Sequence, residues 1–334
     1  MKKKIEQNNL VDLIKYIAAI MVILSHSHSL SNLSKDILSR NIPGASLGSF
    51  AVAIFFSFSG YYIMKSIMTK GDKNFVKKRA KRILPELMIV VLLTILIIGP
   101  IFTNLSLKEY FLNPKTYIYL LNSIMIPYHN LPGVFLNNIY GSTVNGALWT
   151  IPVEFACYIM LFMCYRLSIS KKLKGMTILF IISFICYFSL YYFKSTFLIT
   201  TIRPIMVFMF SALLFFVDNK SSKGLIAFSL IGIILLCMKN SICYDLCLII
   251  CLPIILVYIS KNILVKNKVF ATLGKISYSM YLVGFVTQQS IISIYGGKMN
   301  PSINFILSAL CATIIGFIIN YFYEKKLKKL VDKI

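Results

Sequence analysis

Two ionisable side chains in this sequence fall within apolar stretches and could do acid–base chemistry together. His26 lies in the first apolar run, and Glu154 follows Trp149 near the start of a later one. Imidazole titrates near neutral pH and can take a proton from a hydroxyl or a thiol, so His26 is the candidate general base. A carboxylate near a helix start is stabilised by the positive end of the helix dipole. We expect Glu154 to orient the imidazole or to stabilise its cation.

Each of these two residues also has a structural interpretation. His26 lies among serines and a second histidine, His28, which suits an amphipathic ring at a membrane interface. Glu154 could cap its own helix while Trp149 anchors that helix at the interface. His28 points to the opposite side of the helix from His26 and is the weaker candidate base.

Basic residues in two places could hold a phosphate-bearing substrate. Arg79 and Arg82 share a helical face, and their planar guanidinium groups suit a polyphosphate such as that of coenzyme A, because each binds phosphate oxygens bidentately. The alternative is that these charges only set the membrane topology or contact anionic lipid.

Asp12 and Lys15 precede His26 in the first run. Eleven helical steps bring Lys15 and His26 back to nearly one face, about 16 Å apart, so they can line one channel.

Ten apolar runs must position these residues. The 334 residues are 58% hydrophobic, with a mean hydropathy of +0.78, and a run of roughly 20 apolar residues can cross about 30 Å of hydrocarbon. A soluble globule is excluded, and the sequence predicts an all-α fold, a polytopic membrane helical bundle of about ten transmembrane helices. The seventh span is short, and a weaker run at 116–127 is interfacial or re-entrant. The predicted spans lie near residues 10–29, 49–67, 83–102, 145–165, 174–193, 199–217, 223–238, 242–260, 271–294 and 302–322.

Clusters of Lys and Arg alternate with sparsely charged segments between these runs. Because Lys and Arg are retained on the cytoplasmic side, we expect a multi-pass protein of the cell membrane with both termini cytoplasmic. The formal net charge of +24 arises from these clusters rather than from one basic face, so nucleic acid is not an expected partner. We expect a single domain over 1–334, with no appended soluble domain.

Small side chains recur within the apolar runs. The eight cysteines include no Cys-x-x-Cys pair and have no nearby histidine, so we interpret them as small buried hydrophobic residues and expect no metal site. Cys243, Cys247 and Cys251 share a helical face, which leaves a soft-metal or redox stripe as the alternative. Ser59 and Gly60, in the middle of the second run, indicate either close helix packing or a passage for an acyl chain.

Six motifs in chain order resemble those of the acyltransferase 3 family of integral membrane acyltransferases, which includes bacterial polysaccharide O-acetyltransferases. The likeness covers nearly the whole chain. Lys15 stands where the family usually has Arg, which keeps the charge but loses the planar fork, and Gly284 stands where many members have a second histidine. The motifs are Lys15 with His26; Phe55 to Tyr61, with Ser59 and Gly60; Arg79 with Arg82 and Pro85; Trp149 with Glu154; Gly274 with Ser277, Tyr278, Tyr281 and Leu282; and Tyr323 with Glu324.

The resemblance implies an enzyme that moves an acyl group, acetyl in particular, from cytoplasmic acyl-CoA to a hydroxyl of a cell-surface or exported glycan or of a lipid-linked sugar. Acetyl-CoA is then a co-substrate, held by Arg79, Arg82 and Lys15, and no cofactor stays bound. His26 either deprotonates the acceptor hydroxyl or carries the acyl group itself, with Glu154 in support. Membrane lipid and separate polysaccharide-assembly proteins are the other expected partners. A role in the substrate passage or in structure is implied for Asp12, Ser59, Gly60, Trp149, Ser277, Tyr278 and Tyr281.

Two other classes of membrane protein remain as alternatives. A transporter, such as a flippase of a polysaccharide precursor, would use the intramembrane ionisable groups for coupling and would consume no coenzyme A. It would also show internal inverted repeats, which we do not find in the sequence. A polysaccharide polymerase shares the many spans and the long outer loop, but it gives no reason for the Arg79–Arg82 pair opposite His26.

Overall fold

The computed structural model describes residues 8–71, 73–166, 169–193, 196–217 and 222–323, which form helices joined by loops. Nine helices in this part of the chain are long and apolar enough to cross a membrane, and α7 has 16 residues, as the short seventh run predicts. The predicted all-α polytopic bundle is confirmed. The helices are α1 (Asn9–Asn32), α2 (Leu47–Lys70), α3 (Phe75–Phe102), α4 (Gly146–Arg166), α5 (Leu173–Tyr192), α6 (Leu198–Phe216), α7 (Ser222–Cys237), α8 (Ser241–Asn262), α9 (Lys268–Ile294) and α10 (Pro301–Phe322).

Helices α1 and α2 form the centre of the bundle. Helix α1 packs against α2, α9 and α10, whereas α2 packs against α6 and α8 on its other side. Helix α4 contacts α2, α3 and α6, and α3 also contacts α9. Helices α5 and α7 lie on the outside, where exposed leucine and isoleucine side chains form the surface that hydrocarbon covers.

Two glycines bring core helices into close contact. A Cβ atom at Gly60 would lie 2.2 Å from the carbonyl oxygen of Phe208, and one at Gly274 would lie 2.3 Å from the Cβ of Asp12. The absence of a side chain at Gly60 therefore allows α2 to pack closely against α6, and Gly274 allows α9 to pack closely against α1. The hydroxyl of Ser211 on α6 also donates to the carbonyl of Ser57 on α2, a contact typical of packed membrane helices.

Asparagine caps fix where two of these helices begin. Asn8 accepts a hydrogen bond from the backbone N–H of Leu10 and donates to the carbonyl of Ile263 at 2.7 Å, which ties the start of α1 to the end of α8. Asn145 accepts from the N–H of Ala147 and donates to the carbonyl of Leu282 at 2.8 Å. Helix α4 therefore begins at the level of Leu282, inside the bundle.

The connection between α3 and α4, residues 103–145, folds into short pieces. The side-chain amide of Asn138 donates to the backbone carbonyl and to the side chain of Gln289, both at 2.9 Å, and so fixes the connection to α9. The weaker apolar run at 116–127 is divided between helical turns and a loop. The pieces are two short helices and a 3-10 turn: Leu107–Leu112, Pro114–Ile118 and Tyr119–Ile124.

Tyr110 fastens this connection to α3 by completing an irregular turn. In the π-helical turn Thr94–Ile98, the N–H of Gly99 donates to the carbonyl of Thr94. In the same pattern the carbonyl of Ile95 would accept from the N–H of residue 100, but residue 100 is a proline and has no N–H. The hydroxyl of buried Tyr110 donates to that carbonyl, of Ile95, at 3.0 Å instead. Burial raises the pKa of the Tyr110 phenol to about 12, so it remains a donor at neutral pH.

The eight cysteines differ in exposure: four are buried, three are exposed and Cys243 is half-buried. Those buried within the bundle behave as small apolar residues, as expected. Cys186, Cys237 and Cys311 are instead exposed on its outer surface, because their helices turn these positions away from the core. Within the described ranges, no three His, Cys, Asp or Glu side chains are placed to hold a metal ion. The buried cysteines are Cys157, Cys164, Cys247 and Cys251.

Candidate active site

A cavity of about 710 Å³ opens between the end of α2 and the start of α3, and its lining is rich in basic side chains. We call it the arginine cavity. Its walls carry eight basic residues against three acidic ones, so the cavity favours a polyanionic occupant. The basic residues are Lys15, Lys65, Lys70, Lys78, Arg79, Lys81, Arg82 and Lys275, and the acidic ones are Asp12, Glu86 and Glu154.

The two predicted phosphate-binding arginines lie at this cavity, one turn apart in the first turns of α3. Arg79 is half-buried and its guanidinium lies over the ring of Phe75, 5.8 Å from the ring centroid. The Nε of Arg79 is buried and makes no hydrogen bond with the rest of the described chain. Arg82 is exposed at the mouth of the cavity. A donor buried without a partner costs free energy, and an oxygen-rich ligand would relieve that cost.

Lys15 and Asp12 reach the same cavity from α1. The ammonium of Lys15 lies 5.9 Å from the ring centroid of Phe58, and Asp12 accepts a hydrogen bond from Asn9 at 3.0 Å. Lys15 makes no hydrogen bond or ion pair with other described residues. Lys15, Arg79 and Arg82, which the resemblance assigns to coenzyme A, thus line one cavity, and their binding of a ligand there stays a prediction.

Glu154 lies in the wall of the arginine cavity. Its carboxylate accepts hydrogen bonds from the hydroxyl of Ser59 on α2, at 2.7 Å, and from the hydroxyl of Tyr158 one turn further along α4. Ser59 thus faces the cavity, while its neighbour Gly60 contacts α6. These bonds fix the carboxylate at the interface between α2 and α4.

Helix α9 contributes four residues of its predicted motif, Gly274, Ser277, Tyr278 and Tyr281, to the same cavity. Tyr278 donates to the carbonyl of Ile83 at 3.2 Å, and Ser277 donates to the carbonyl of Gly274 one turn earlier. Tyr281 lies furthest from the mouth. The neighbouring hydroxyl of Ser279 donates to Glu86, a buried carboxylate on α3 that the sequence analysis did not select.

A second cavity, of about 420 Å³, contains His26, and we call it the histidine cavity. The imidazole of His26 packs edge-on against Phe285, with the ring centroids 5.2 Å apart. Trp149 and Asp36 line the cavity on other sides, and the basic side chains at its wall are Lys35 and Arg203. His28 lies outside it and contacts Ser34 instead.

Asp36 holds the wall of the histidine cavity together. One oxygen of its carboxylate accepts from the Ser25 hydroxyl and from the N–H of Leu47, and the other from Leu38 and Ser39. Burial works to raise the pKa of Asp36, but these hydrogen bonds outweigh it and lower that pKa below its ordinary value. Asp36 is therefore ionised at neutral pH, with both oxygens occupied.

The two cavities meet at a waist formed by Val52, Thr150 and Tyr281, which line both of them. The hydroxyls of Thr150 and Tyr281 lie 2.6 Å apart, and Tyr281 also donates to the carbonyl of Ala147. Helices α1, α2, α4 and α9 each carry residues of both cavities. The two cavities therefore lie on opposite sides of one shared wall, with Lys15, Arg79 and Arg82 on one side and His26 on the other.

The expectation that Glu154 contacts His26 is not met in the structure. The two residues line different cavities, and no hydrogen bond joins them across the described residues. The sequence does not show how deep in the bundle α4 begins. Because Asn145 anchors the start of α4 to Leu282 inside the bundle, Glu154 lies about 6 Å beyond the waist residue Thr150, on the arginine side.

Several buried charged groups escaped the sequence analysis. Arg203 and Asp245 form a buried ion pair beside the histidine cavity, and Asp36 and Glu86 are also buried. Arg203 and Asp245 lie inside predicted spans, so the rule that intramembrane charges are costly could have found both. Asp36 lies in a short loop where only the folded structure reveals its burial. The predicted motif residue Glu324 lies outside the described residues.

Fold and site together define a polytopic membrane protein in which two chemically distinct cavities are joined through the bundle. The chain belongs to the acyltransferase 3 family, because that family's model, an acyltransferase domain, matches residues 8–324.

Two named proteins are similar to part of this chain. An O-acetyl transferase of Shigella phage Sf6 is 37% identical over 158 residues, which cover 46% of this chain and 45% of that protein. Nodulation protein 10 of Rhizobium leguminosarum bv. viciae is 28% identical over 158 residues, which cover 46% of this chain and 43% of the relative. The match therefore spans less than half the length of each. No solved structure matches the chain.

Proposed function

We propose that the protein is a membrane O-acetyltransferase that moves an acetyl group from acetyl-CoA in the arginine cavity to a glycan hydroxyl in the histidine cavity. The observation that carries this proposal is the waist. Val52, Thr150 and Tyr281 line both cavities, so a donor anchored among cations can present its thioester next to a general base. Membership of the acyltransferase 3 family and the O-acetyl transferase relative support the reaction class.

The charge pattern supports coenzyme A as the donor and the cytoplasm as its source. Coenzyme A carries several phosphate charges, and the arginine cavity has five more basic than acidic side chains. Arg79 and Arg82 bind the phosphates, and Lys15, deeper in the cavity, contacts the arm that leads to the thioester. The mouth of this cavity coincides with the basic segment between α2 and α3, which the positive-inside rule assigns to the cytoplasm, as it does both termini.

The transfer step needs a base on the far side of the waist. His26 takes the proton from the acceptor hydroxyl, and the freed oxygen forms a bond to the acyl carbon. The carbon–sulfur bond breaks, and the coenzyme A thiolate leaves with the proton that His26 carries. If His26 itself accepts the acyl group first, a carbon–nitrogen bond to the imidazole replaces the carbon–sulfur bond, and the thiol leaves with the imidazole proton. The acceptor oxygen then displaces the imidazole, which takes up the proton of the hydroxyl. In both routes the thioester must reach the waist.

Glu154 acts on the donor side rather than on His26. Its hydrogen bonds to Ser59 and Tyr158 fix the wall that the thioester arm follows below the waist. Trp149 lies on the other side of the waist, where an indole ring suits the apolar face of a sugar. The acceptor is a glycan or a lipid-linked sugar that enters from the outer leaflet. Membrane lipid surrounds the bundle, and separate polysaccharide-assembly proteins supply the acceptor.

The test is release of free coenzyme A from acetyl-CoA by the purified protein in lipid, with a panel of candidate glycans. We expect acceptor-dependent release by the wild type and its loss in His26→Ala, with activity retained in the matched control His28→Ala. Arg79→Ala with Arg82→Ala should raise the KM for acetyl-CoA at least tenfold. Arg166→Ala, at the end of α4 and outside the arginine cavity, should not.

Either of two results would contradict the proposal. Full activity in His26→Ala would remove the histidine from the reaction. Absence of coenzyme A release from folded wild-type protein across a broad acceptor panel, together with movement of a sugar lipid across the membrane, would favour a flippase.

A further inference from the structure

The transfer chemistry leaves one buried charged group in the histidine cavity without a role. Arg203 on α6 is 6% exposed and lines that cavity. Its Nε lies 2.7 Å from an oxygen of Asp245 on α8. Asp245, 2% exposed, also accepts a hydrogen bond from the hydroxyl of Tyr187 on α5. Three helices thus converge on one guanidinium.

Stability alone does not explain why such a buried ion pair is present. Taking two charges out of water is unfavourable, and an apolar pair of similar volume is often as stable. The guanidinium also lies over the ring of Tyr244, 5.8 Å from its centroid. The hydroxyl of Tyr244 is held in turn by Ser49, at 2.8 Å. The contacts fix both the position and the plane of the Arg203 side chain.

These contacts use only one edge of the guanidinium. Asp245 lies at the Nε side, and no hydrogen bond from the Nη groups of Arg203 to another described residue is present. A guanidinium has five N–H donors and no acceptor. Because Arg203 lines the histidine cavity, its remaining donors are available to whatever enters there.

Two further side chains of this cavity have open N–H donors. Lys35 and Trp149 line it, and in the described part of the chain neither the ammonium nor the indole N–H makes a hydrogen bond. The carboxylate of Asp36, by contrast, is saturated by the donors that hold it. A ligand therefore meets two cations and an indole N–H, beside the hydroxyls of the serines that line the cavity, but no open carboxylate.

From this arrangement we infer that Arg203 binds an anionic oxygen group, a carboxylate or a phosphate, on the acceptor glycan. Carboxylates and phosphates carry negative charge and match a guanidinium bidentately, whereas a neutral sugar hydroxyl offers it one uncharged oxygen. Asp245 is a positioning residue that acts through Arg203. The inference rests on the proposed function, since it specifies the acceptor of the same transfer.

The experiment compares matched pairs of acceptors. One pair is an oligosaccharide that contains a uronic acid and the same oligosaccharide with its carboxyl groups reduced; the other is a sugar phosphate and the free sugar. We expect kcat/KM for the acidic member of one pair to exceed that of its neutral counterpart at least tenfold in the wild type. The acceptor pair that shows the preference identifies the bound group as a carboxylate or as a phosphate. Equal rates within both pairs would overturn the inference.

Variants locate the preference at Arg203. Arg203→Gln should abolish the preference by raising the KM for the acidic acceptor, while the KM for acetyl-CoA stays unchanged. Arg203→Lys should retain part of the preference, because it keeps the charge but loses the fork. Arg203→Gln leaves Asp245 buried without its partner, so the double variant Arg203→Gln with Asp245→Asn provides a form that avoids an unpaired charge. A preference that persists in the folded double variant would refute the assignment.

Binding without catalysis separates this inference from the proposed function. The acidic probe should raise the unfolding temperature of the wild type in the absence of any donor, and it should not raise that of the double variant. If no acceptor is acetylated yet this difference persists, then the transferase proposal fails and the anion site stands. If acetylation occurs without any charge preference, then the anion site fails and the transferase proposal stands.

Discussion

Replacing Gly60 by alanine should force apart α2 and α6, two helices that carry residues of the cavities. The new Cβ would lie 2.2 Å from the carbonyl oxygen of Phe208 and 3.2 Å from the backbone nitrogen of Ala212. Both neighbours are backbone atoms of α6, so no side chain can rotate away. Ordinary contact between carbon and oxygen requires α2 and α6 to separate by roughly 1 Å.

The magnitude follows from overpacking. Inserting one methyl group into a well-packed core costs about 1–3 kcal/mol, and the backbone contact places Gly60→Ala at the upper end of that range. The shift also reaches function. Helix α2 carries Val52 and Ser59, α6 carries Arg203, and a displacement of about 1 Å in positioned groups can lower a rate about 100-fold.

The assay is thermal unfolding of the purified variant in lipid nanodiscs, followed by circular dichroism, alongside the rate of acetyl transfer. Gly284→Ala is the matched control, because its new Cβ would meet only side-chain carbons of Ile23, the nearest at 3.1 Å. We expect a lower unfolding temperature for Gly60→Ala than for Gly284→Ala, and a lower rate. Equal unfolding temperatures would refute the argument that α2 and α6 touch through their backbones.

Three further predictions follow from single contacts. Tyr110→Phe should lower the free energy of unfolding by about 1–3 kcal/mol in chemical denaturation, because it leaves the carbonyl of Ile95 buried and unpaired; an unchanged midpoint would contradict this. Asp36→Asn should destabilise the protein at neutral pH. Because the folded pKa of Asp36 is depressed, the contribution of its carboxylate to stability is present above the unfolded pKa of about 4 and is lost as the pH falls through the folded value. The difference in unfolding temperature between the wild type and Asp36→Asn should therefore narrow below about pH 4 and not above it. Val52→Trp should fill the waist and lower acetyl transfer about 100-fold while coenzyme A binding stays within about twofold; Val269→Trp, on the exposed surface of α9, is the control, and equal activity of the two would remove the waist from the path.

The sequence predicts the bundle well because hydrocarbon imposes a simple rule. A run of about 20 apolar residues has no alternative to a helix when water is absent, and the predicted spans agree with the observed helices, including the short α7. The folding of the connection between α3 and α4 could not be predicted in the same way. It depends on Tyr110 serving a carbonyl left open by Pro100, and on Asn145 reaching Leu282, both of which join distant parts of the chain.

The candidate site was only partly accessible from the sequence. Helical spacing placed Arg79 beside Arg82, because a helix fixes the face on which a side chain lies, and only the family resemblance added Lys15 to this pair. The relation between Glu154 and His26 was wrong, since depth along two helices does not say what lies between them. The waist of Val52, Thr150 and Tyr281 separates them, and a valine and a threonine give no signal of such a role in the sequence.

The most direct test of the account places donor and acceptor on opposite sides of a membrane. The protein is reconstituted into sealed vesicles with acceptor glycan inside, and radiolabelled acetyl-CoA, which does not cross the bilayer, is added outside. We predict labelled glycan inside the vesicles with the wild type and none with His26→Ala. Label transferred only when donor and acceptor share one compartment would contradict a passage that joins the arginine cavity to the histidine cavity.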